Sequence, residues 1–162
     1  VNRNNLRAAL KLLAPMAAQA AKSRLEQTDA VATGRLRDSI QGGVDETEDT
    51  IRLFLTAEDY YEAVDKGQRP GKLPSKQKIA EWARAKGITP YNGLTNQWAE
   101  GFMVWRIRKA IEKRGTIKRF GYKGVGINQH ITQTLGNKIL NDVQRAYKKD
   151  IEEAIRDGRS KS

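Results

Sequence analysis

The chain has no cysteine and a single histidine. Without cysteine there is no disulfide, no thiolate nucleophile and no cysteine-built zinc site. With only His130 there is no histidine cluster for a transition metal. A lone histidine at the start of a helix reads as a solvated or capping residue sooner than as a general base. Long apolar runs are also missing. Nothing approaches the roughly 18 to 20 apolar residues that cross a bilayer, so no membrane contact is expected. The Ala-rich stretch from Ala8 to Ala21 is broken by Lys11 and Pro15, which is not the pattern of a signal segment. No glycine-rich loop leads into Lys-Ser or Lys-Thr, and Gly121, Gly124 and Gly126 lack dinucleotide spacing. Acidic residues are outnumbered, 19 Asp and Glu against 30 Lys and Arg, for a net charge of +11. Such a balance favours a polyanionic neighbour.

What is present is 162 residues, 30% of them charged, with apolar material for one modest core. We expect a single domain over residues 1–158 and a polar tail at 159–162. Leu6, Leu10, Leu13, Ala17, Ala21 and Leu25 recur at three- and four-residue steps, which predicts a helix over Asn4 to Gln27, kinked at Pro15. Gly34 opens a new element, and Gly42-Gly43 suggests a bulge within a strand from Ser39 to Val44. The run Asp45 to Asp49 reads as a turn, and Ile51, Leu53 and Leu55 alternate as a second strand. Thr56 is placed as the cap of a helix Ala57 to Lys66, and Ser75 as the cap of another reaching Lys86, with Trp82 inward. Asn92-Gly93 is turn chemistry. A third helix over Gln97 to Arg114 turns Phe102, Trp105 or Val104, Ile107 or Arg108, and Ile111 inward, and ends at Gly115. The last helix is expected from Gln129 to Arg156, about 28 residues or roughly 42 Å, with Ile131, Leu135, Ile139, Val143, Tyr147 and Ile151 on its apolar face. The whole predicts an α+β fold: a small antiparallel sheet packed by helices, with long N-terminal and C-terminal helices.

The carboxylates offer no catalytic constellation. Asp45, Glu46, Glu48 and Asp49 read as a solvated turn. Glu58, Asp59, Glu62 and Asp65 read as the polar side of a short helix, supporting its dipole. No enzyme, cofactor or metal is expected. The sharper feature is basic. Arg106, Arg108, Lys109, Lys113, Arg114, Lys118, Arg119 and Lys123 are opposed only by Glu112, with Phe120 and Tyr122 interleaved. Point charges for phosphates and rings for bases are what backbone-directed nucleic-acid binding uses. The DNA-facing candidates are Arg106, Lys109, Lys113, Arg114, Lys118, Arg119 and Lys123. Arg69-Pro70-Gly71-Lys72 adds a weaker basic point. No sequence-reading motif accompanies them.

Three segments carry a family resemblance. Thr33-Gly34-Arg35-Leu36-Arg37-Asp38-Ser39-Ile40 follows the first helix. Tyr60-Tyr61-Glu62-Ala63-Val64-Asp65-Lys66-Gly67 precedes Arg69-Pro70. Ile107 to Gly115-Thr116 precedes Phe120 and the last helix. In this order they resemble the tail-component family of lambdoid siphophages, the neck and tail-completion proteins of tailed bacteriophages. Residues 73–98 stand as an insertion against minimal members.

The resemblance implies a structural virion protein at the head–tail junction, assembled in the host cytoplasm. It implies a homo-oligomeric ring of 6 or 12 copies, with portal or adaptor and tail-tube or tail-terminator proteins as partners. Phage DNA would pass through the lumen without sequence reading. Arg35, Leu36, Tyr60, Tyr61, Arg69 and Pro70 become subunit-contact candidates. The alternative is a sequence-nonspecific DNA-binding protein outside the virion, which the charge alone would suit.

Overall fold

The computed structural model describes residues 3–90 and 96–159, and of residues 118–120 only the backbone. The fold is α+β. In chain order, α1 spans Asn4–Gln27, α2 Arg35–Ser39, β1 Gln41–Glu46, β2 Ile51–Thr56, α3 Tyr61–Lys66, α4 Lys76–Ala85, α5 Gln97–Phe120 and α6 Ile127–Arg159. The Asn92-Gly93 turn lies outside the described residues. Where the sequence reads as one domain, the residues gather in two compact units. One holds Val1–Arg24, Ser39–Ala57 and Ile127–Ser162, and the other holds Leu25–Asp38 and Glu58–Gly126.

α1, whose residues up to Arg24 belong to the first unit, has the predicted bounds. Leu10, Leu13, Ala17 and Ala21 are buried, joined by Ala14 and Ala18. Pro15 sits on the exposed side and the helix continues through it. β1 and β2 form an antiparallel hairpin whose register runs from Gln41 opposite Thr56 to Glu46 opposite Ile51. A hairpin alone is marginal in water, and this one is anchored. Gly42 lies against the backbone of α1, where an added Cβ would overlap the Ala14 carbonyl. The Phe54 ring covers Gly43 on the opposite strand. The glycine pair therefore marks close approach and ring cover within a regular ladder, not a bulge. The strand also starts later and ends later than expected. Residues Arg35–Ser39 form a helical turn instead, and Asp45 and Glu46 belong to β1. The turn itself is Thr47 to Thr50, closed by the Thr47 N–H donating to the Thr50 carbonyl at 2.8 Å.

The long helix α6 has 33 residues, roughly 50 Å at 1.5 Å per residue. Its buried positions are Ile127, Ala146 and Asp150. Tyr147 and Ile151, expected inward, are exposed, together with Leu140 and Ile155. An aspartate in place of an apolar residue moved the buried face. Asp150 is 1% exposed. Its Oδ1 accepts from the Asn5 N–H and from Asn5 Nδ2, both at 2.9 Å, and its Oδ2 accepts from the Leu6 N–H at 3.0 Å. It therefore caps the start of α1, whose own first turn holds no acidic residue.

In the second unit, the buried apolar residues among those described are Leu25, Leu36, Ala83, Ala99, Val104, Ile111 and Val125. α4 is capped as expected, Ser75 Oγ accepting from the Lys78 N–H, but Trp82 faces out. α3 is shorter than predicted. Thr56 ends a strand and does not cap a helix, and Tyr60 precedes the first turn without a side-chain cap. Within α5 the helix breaks at Gly115, where φ is 67° and ψ is −176°, and resumes to Phe120. The predicted stop is thus real, with a second short helical stretch beyond it. No helix among the described residues is long and apolar enough to cross a membrane.

Candidate nucleic-acid interface

α5 starts at Asn96, whose side-chain oxygen accepts from the Ala99 N–H at 2.8 Å. Its small and aliphatic positions Ala99, Val104 and Ile111 turn inward and are buried. At 100° per residue, this leaves Trp98, Phe102, Trp105, Lys109 and Lys113 in one outward row, at steps of four, three, four and four. Trp98 is 75% exposed, Phe102 47% and Trp105 51%. The rings stack in succession. Trp98 and Phe102 have centroids 5.8 Å apart with planes 2° from parallel, and Phe102 and Trp105 follow at 5.9 Å and 20°. Arg106 flanks the row, its guanidinium carbon 5.9 Å from the Phe102 centroid, a cation–π distance. Lys109 pairs with Glu112 at 2.7 Å.

The sequence-level candidates separate on this frame. Arg106, Lys109 and Lys113 share the outward face. Arg114 projects from another side of α5, and Lys123 is exposed in the loop after it. Arg108 is tied down, its Nε donating to the Pro74 carbonyl at 2.7 Å. The side chains of Lys118, Arg119 and Phe120 lie outside the described residues. Tyr122 is not a stacking ring. It is half-buried and its hydroxyl donates to the Val64 carbonyl at 2.8 Å. Burial, then the charge of Asp65, raises its pKa above the ordinary tyrosine value.

Phe102, expected inward, is the main correction; of the alternatives Trp105 or Val104, the structure buries Val104 and exposes Trp105, and the ring row is what the sequence reading missed. The signal was available. Lys109 and Lys113 continue the phase of Trp98, Phe102 and Trp105, whereas Ala99, Val104 and Ile111 supply a rival apolar phase that takes the core.

Of the remaining candidates, Arg35, Leu36, Tyr60 and Tyr61 serve their own unit. Arg35 pairs with Glu58 at 3.4 Å and Glu81 at 3.0 Å. Leu36 is buried within its own chain, so it is unavailable as a subunit contact. Lys78 Nζ lies 4.8 Å from the Tyr60 ring centroid. Tyr61 is half-buried, and burial with the Asp65 charge pushes its pKa up to about 12. Arg69 and Pro70 are exposed. The acidic residues do not converge. Glu46 bonds Arg7 at 2.6 Å, and that hydrogen bond from Arg7 holds its carboxyl below the usual range. Glu58 and Asp59 precede α3 and pair with Lys78, and Asp65 is buried, so the expected polar side of that helix is not formed. Among the described residues no group of His, Asp and Glu is arranged to hold a metal.

The chain defined by these features is an α+β protein with an exposed aromatic and cationic helix face. No protein-family model, no curated protein and no solved structure matches it.

Proposed function

We propose that the chain is a non-enzymatic structural subunit of a tailed-phage particle, one copy in a ring of 6 or 12 at the head–tail junction through which DNA passes. The family resemblance led by Thr33 to Ile40 suggests the particle, and one structural observation supports the ring. The first unit carries two separate unpartnered apolar surfaces. One is a groove of about 630 Å³ between α1 and α6, lined among others by Ala8, Leu12, Met16, Arg145 and Lys149, with Leu12 72% exposed. The other is the row Leu140, Tyr147, Ile151 and Ile155, all exposed. Helical phase puts that row roughly half a turn from the groove side of α6, marked by Lys138, Asp142, Arg145 and Lys149. A closed ring needs such heterologous contacts, each subunit using two different faces.

The test uses one charge on each face. Leu12→Glu and Ile151→Glu should each be monomeric and each fail to complement particle assembly. Mixed together they should form a dimer, because the intact row of one meets the intact groove of the other. Sedimentation of the mixture reads this. If either variant alone still oligomerises, or the mixture stays monomeric while the wild type does not, the two-face ring is wrong. If the wild-type protein is absent from purified particles and retains duplex DNA at physiological salt, the alternative of a DNA-binding protein outside the virion replaces it. The lumen reading predicts that Lys113, Arg114, Lys118 and Arg119 changed together to Gln slow DNA delivery. Delivery at the wild-type rate would leave those charges as solvated surface.

A further inference from the structure

The outward face of α5 has the two chemistries that unpaired nucleotides require, in register on one helix. We infer that Trp98, Phe102 and Trp105, with Arg106, Lys109 and Lys113, form a stacking site for single-stranded nucleic acid. The inference does not rest on the ring, and it separates from the duplex passage proposed above.

The rings come first. Three large aromatic side chains held in water on one helix face are unfavourable, since apolar surface is driven out of contact with water. Their planes lie within 2° and 20° of parallel in succession, so they offer faces of one orientation. An unpaired base carries a π-face of matching size, and stacking on an aromatic is tolerant of base identity. In a duplex those faces are already covered by neighbouring base pairs. The rings therefore select unpaired bases, which charge alone does not.

The cations follow in the same row. Lys109 and Lys113 continue the phase of the rings toward the helix C-terminus, and Arg106 lies over Phe102. Trp98 to Lys113 spans roughly 22 Å at 1.5 Å per residue, the reach of a few nucleotides. One carboxylate, Glu112, opposes them through Lys109, and the chain as a whole is at +11. A strand of phosphates complements that charge. An acidic protein helix would match the charge without needing three parallel rings, and an anionic bilayer would match both without preferring bases over phosphates.

These differences set the experiment. The wild-type chain is titrated, by anisotropy and by tryptophan fluorescence, with a 15-nucleotide oligo-dT, an abasic strand of equal length, and a blunt duplex. The oligo-dT should bind at least tenfold tighter than the abasic strand and quench the fluorescence. Trp98→Ser, Phe102→Ser and Trp105→Ser together should bring that ratio close to one, with the circular dichroism unchanged, as expected for exposed positions. Lys109→Gln with Lys113→Gln should weaken both strands alike and flatten the salt dependence.

Equal binding of abasic strand and oligo-dT overturns the inference, as does a duplex preference that the ring substitutions leave intact. Binding to phosphatidylserine vesicles with none to oligo-dT assigns the row to a membrane surface instead. Loss of self-association in the triple-Ser variant, without any oligo-dT binding by wild type, assigns it to a protein contact.

Discussion

Replacing Asp150 with alanine should cost about 3 kcal/mol of stability, through the loss of charge-assisted hydrogen bonds and a helix cap. The carboxylate is almost fully buried and takes three donors from Asn5 and Leu6. Two of these are backbone N–H groups in the first turn of α1, which no i−4 carbonyl can satisfy. Removing the acceptor leaves them facing the place where the carboxylate was. Asp150→Asn should cost less, about 2 kcal/mol, because one oxygen still accepts while the new amide nitrogen opposes an N–H donor. Asp142 is the comparison on the same helix. It pairs with Lys138 at 2.8 Å on the surface, and Asp142→Asn should leave the unfolding midpoint within error, as exposed pairs contribute little.

The same group gives a pH signature. Burial acts to raise the Asp150 pKa, but the backbone N–H groups of Asn5 and Leu6 and the Asn5 side chain outweigh it, and the net shift is downward. A carboxylate held lower in the folded state than in the unfolded one favours folding when ionised. Its contribution is full above the unfolded value of about 3.9, and is lost as pH falls through the lower folded value. Urea midpoints measured between pH 7 and pH 2 should therefore fall more steeply for wild type than for Asp150→Asn. The acid loss belongs to the first unit. If the two units unfold in separate steps, only the step of the first unit should shift. Parallel pH curves for wild type and Asp150→Asn would show that the carboxylate is not linked to folding.

Asp150 also marks how far the sequence could be read. In Lys148-Lys149-Asp150-Ile151-Glu152-Glu153 it looks like one more solvated charge, and its partners are 144 and 145 residues away. Local periodicity then nominates Tyr147 and Ile151 as the buried row, and the structure leaves both exposed. By contrast α1 was legible to the residue, because the apolar phase of Leu10, Leu13, Ala17, Ala21 and Leu25 runs unbroken along it and outweighs the shorter face of Leu12 and Met16. The hairpin was legible as a hairpin from the alternation of Ile51, Leu53 and Leu55. Its bounds were not, since whether Asp45 and Glu46 pair or turn depends on Arg7 and on the α1 backbone beneath Gly42. α5 contained two apolar phases, one aromatic and one aliphatic. Size favours burying the larger rings, but Ala99, Val104 and Ile111 take the core, and the rings are left outside. The basic segment was visible as charge. Its division into an outward row, a tied Arg108 and an occupied Tyr122 required the contacts with Pro74 in a loop and Val64 in α3.

Gly115→Ala is expected to cost about 4 kcal/mol, combining a disallowed backbone conformation with overpacking, at about 1–3 kcal/mol each. With φ at 67° and ψ at −176°, Gly115 occupies a region essentially closed to residues bearing a Cβ. An added methyl would also overlap the Gln68 carbonyl and lie 3.1 Å from the Arg69 carbonyl carbon and from Pro70 Cδ. The break is there for the 68–71 loop. The Gln68 carbonyl accepts from the Thr116 N–H at 2.9 Å, the Gln68 N–H donates to Thr116 Oγ1 at 2.8 Å, and the Gly71 N–H donates to the Glu112 carbonyl at 2.7 Å. A straight helix would take back the Glu112 carbonyl and the Thr116 N–H for its own ladder, and the loop would lose both anchors. Gly115→Ala should therefore raise hydrogen exchange at Gln68 and Gly71 together with Thr116, and open cleavage by trypsin at Lys72. Thr116→Val removes only the hydroxyl contact and should cost about 1–2 kcal/mol, leaving the Gly71 amide protected. If Gly115→Ala left the stability and those amides unchanged, the break in α5 would be a preference of the helix itself rather than a seat cut for the Arg69-Pro70 loop.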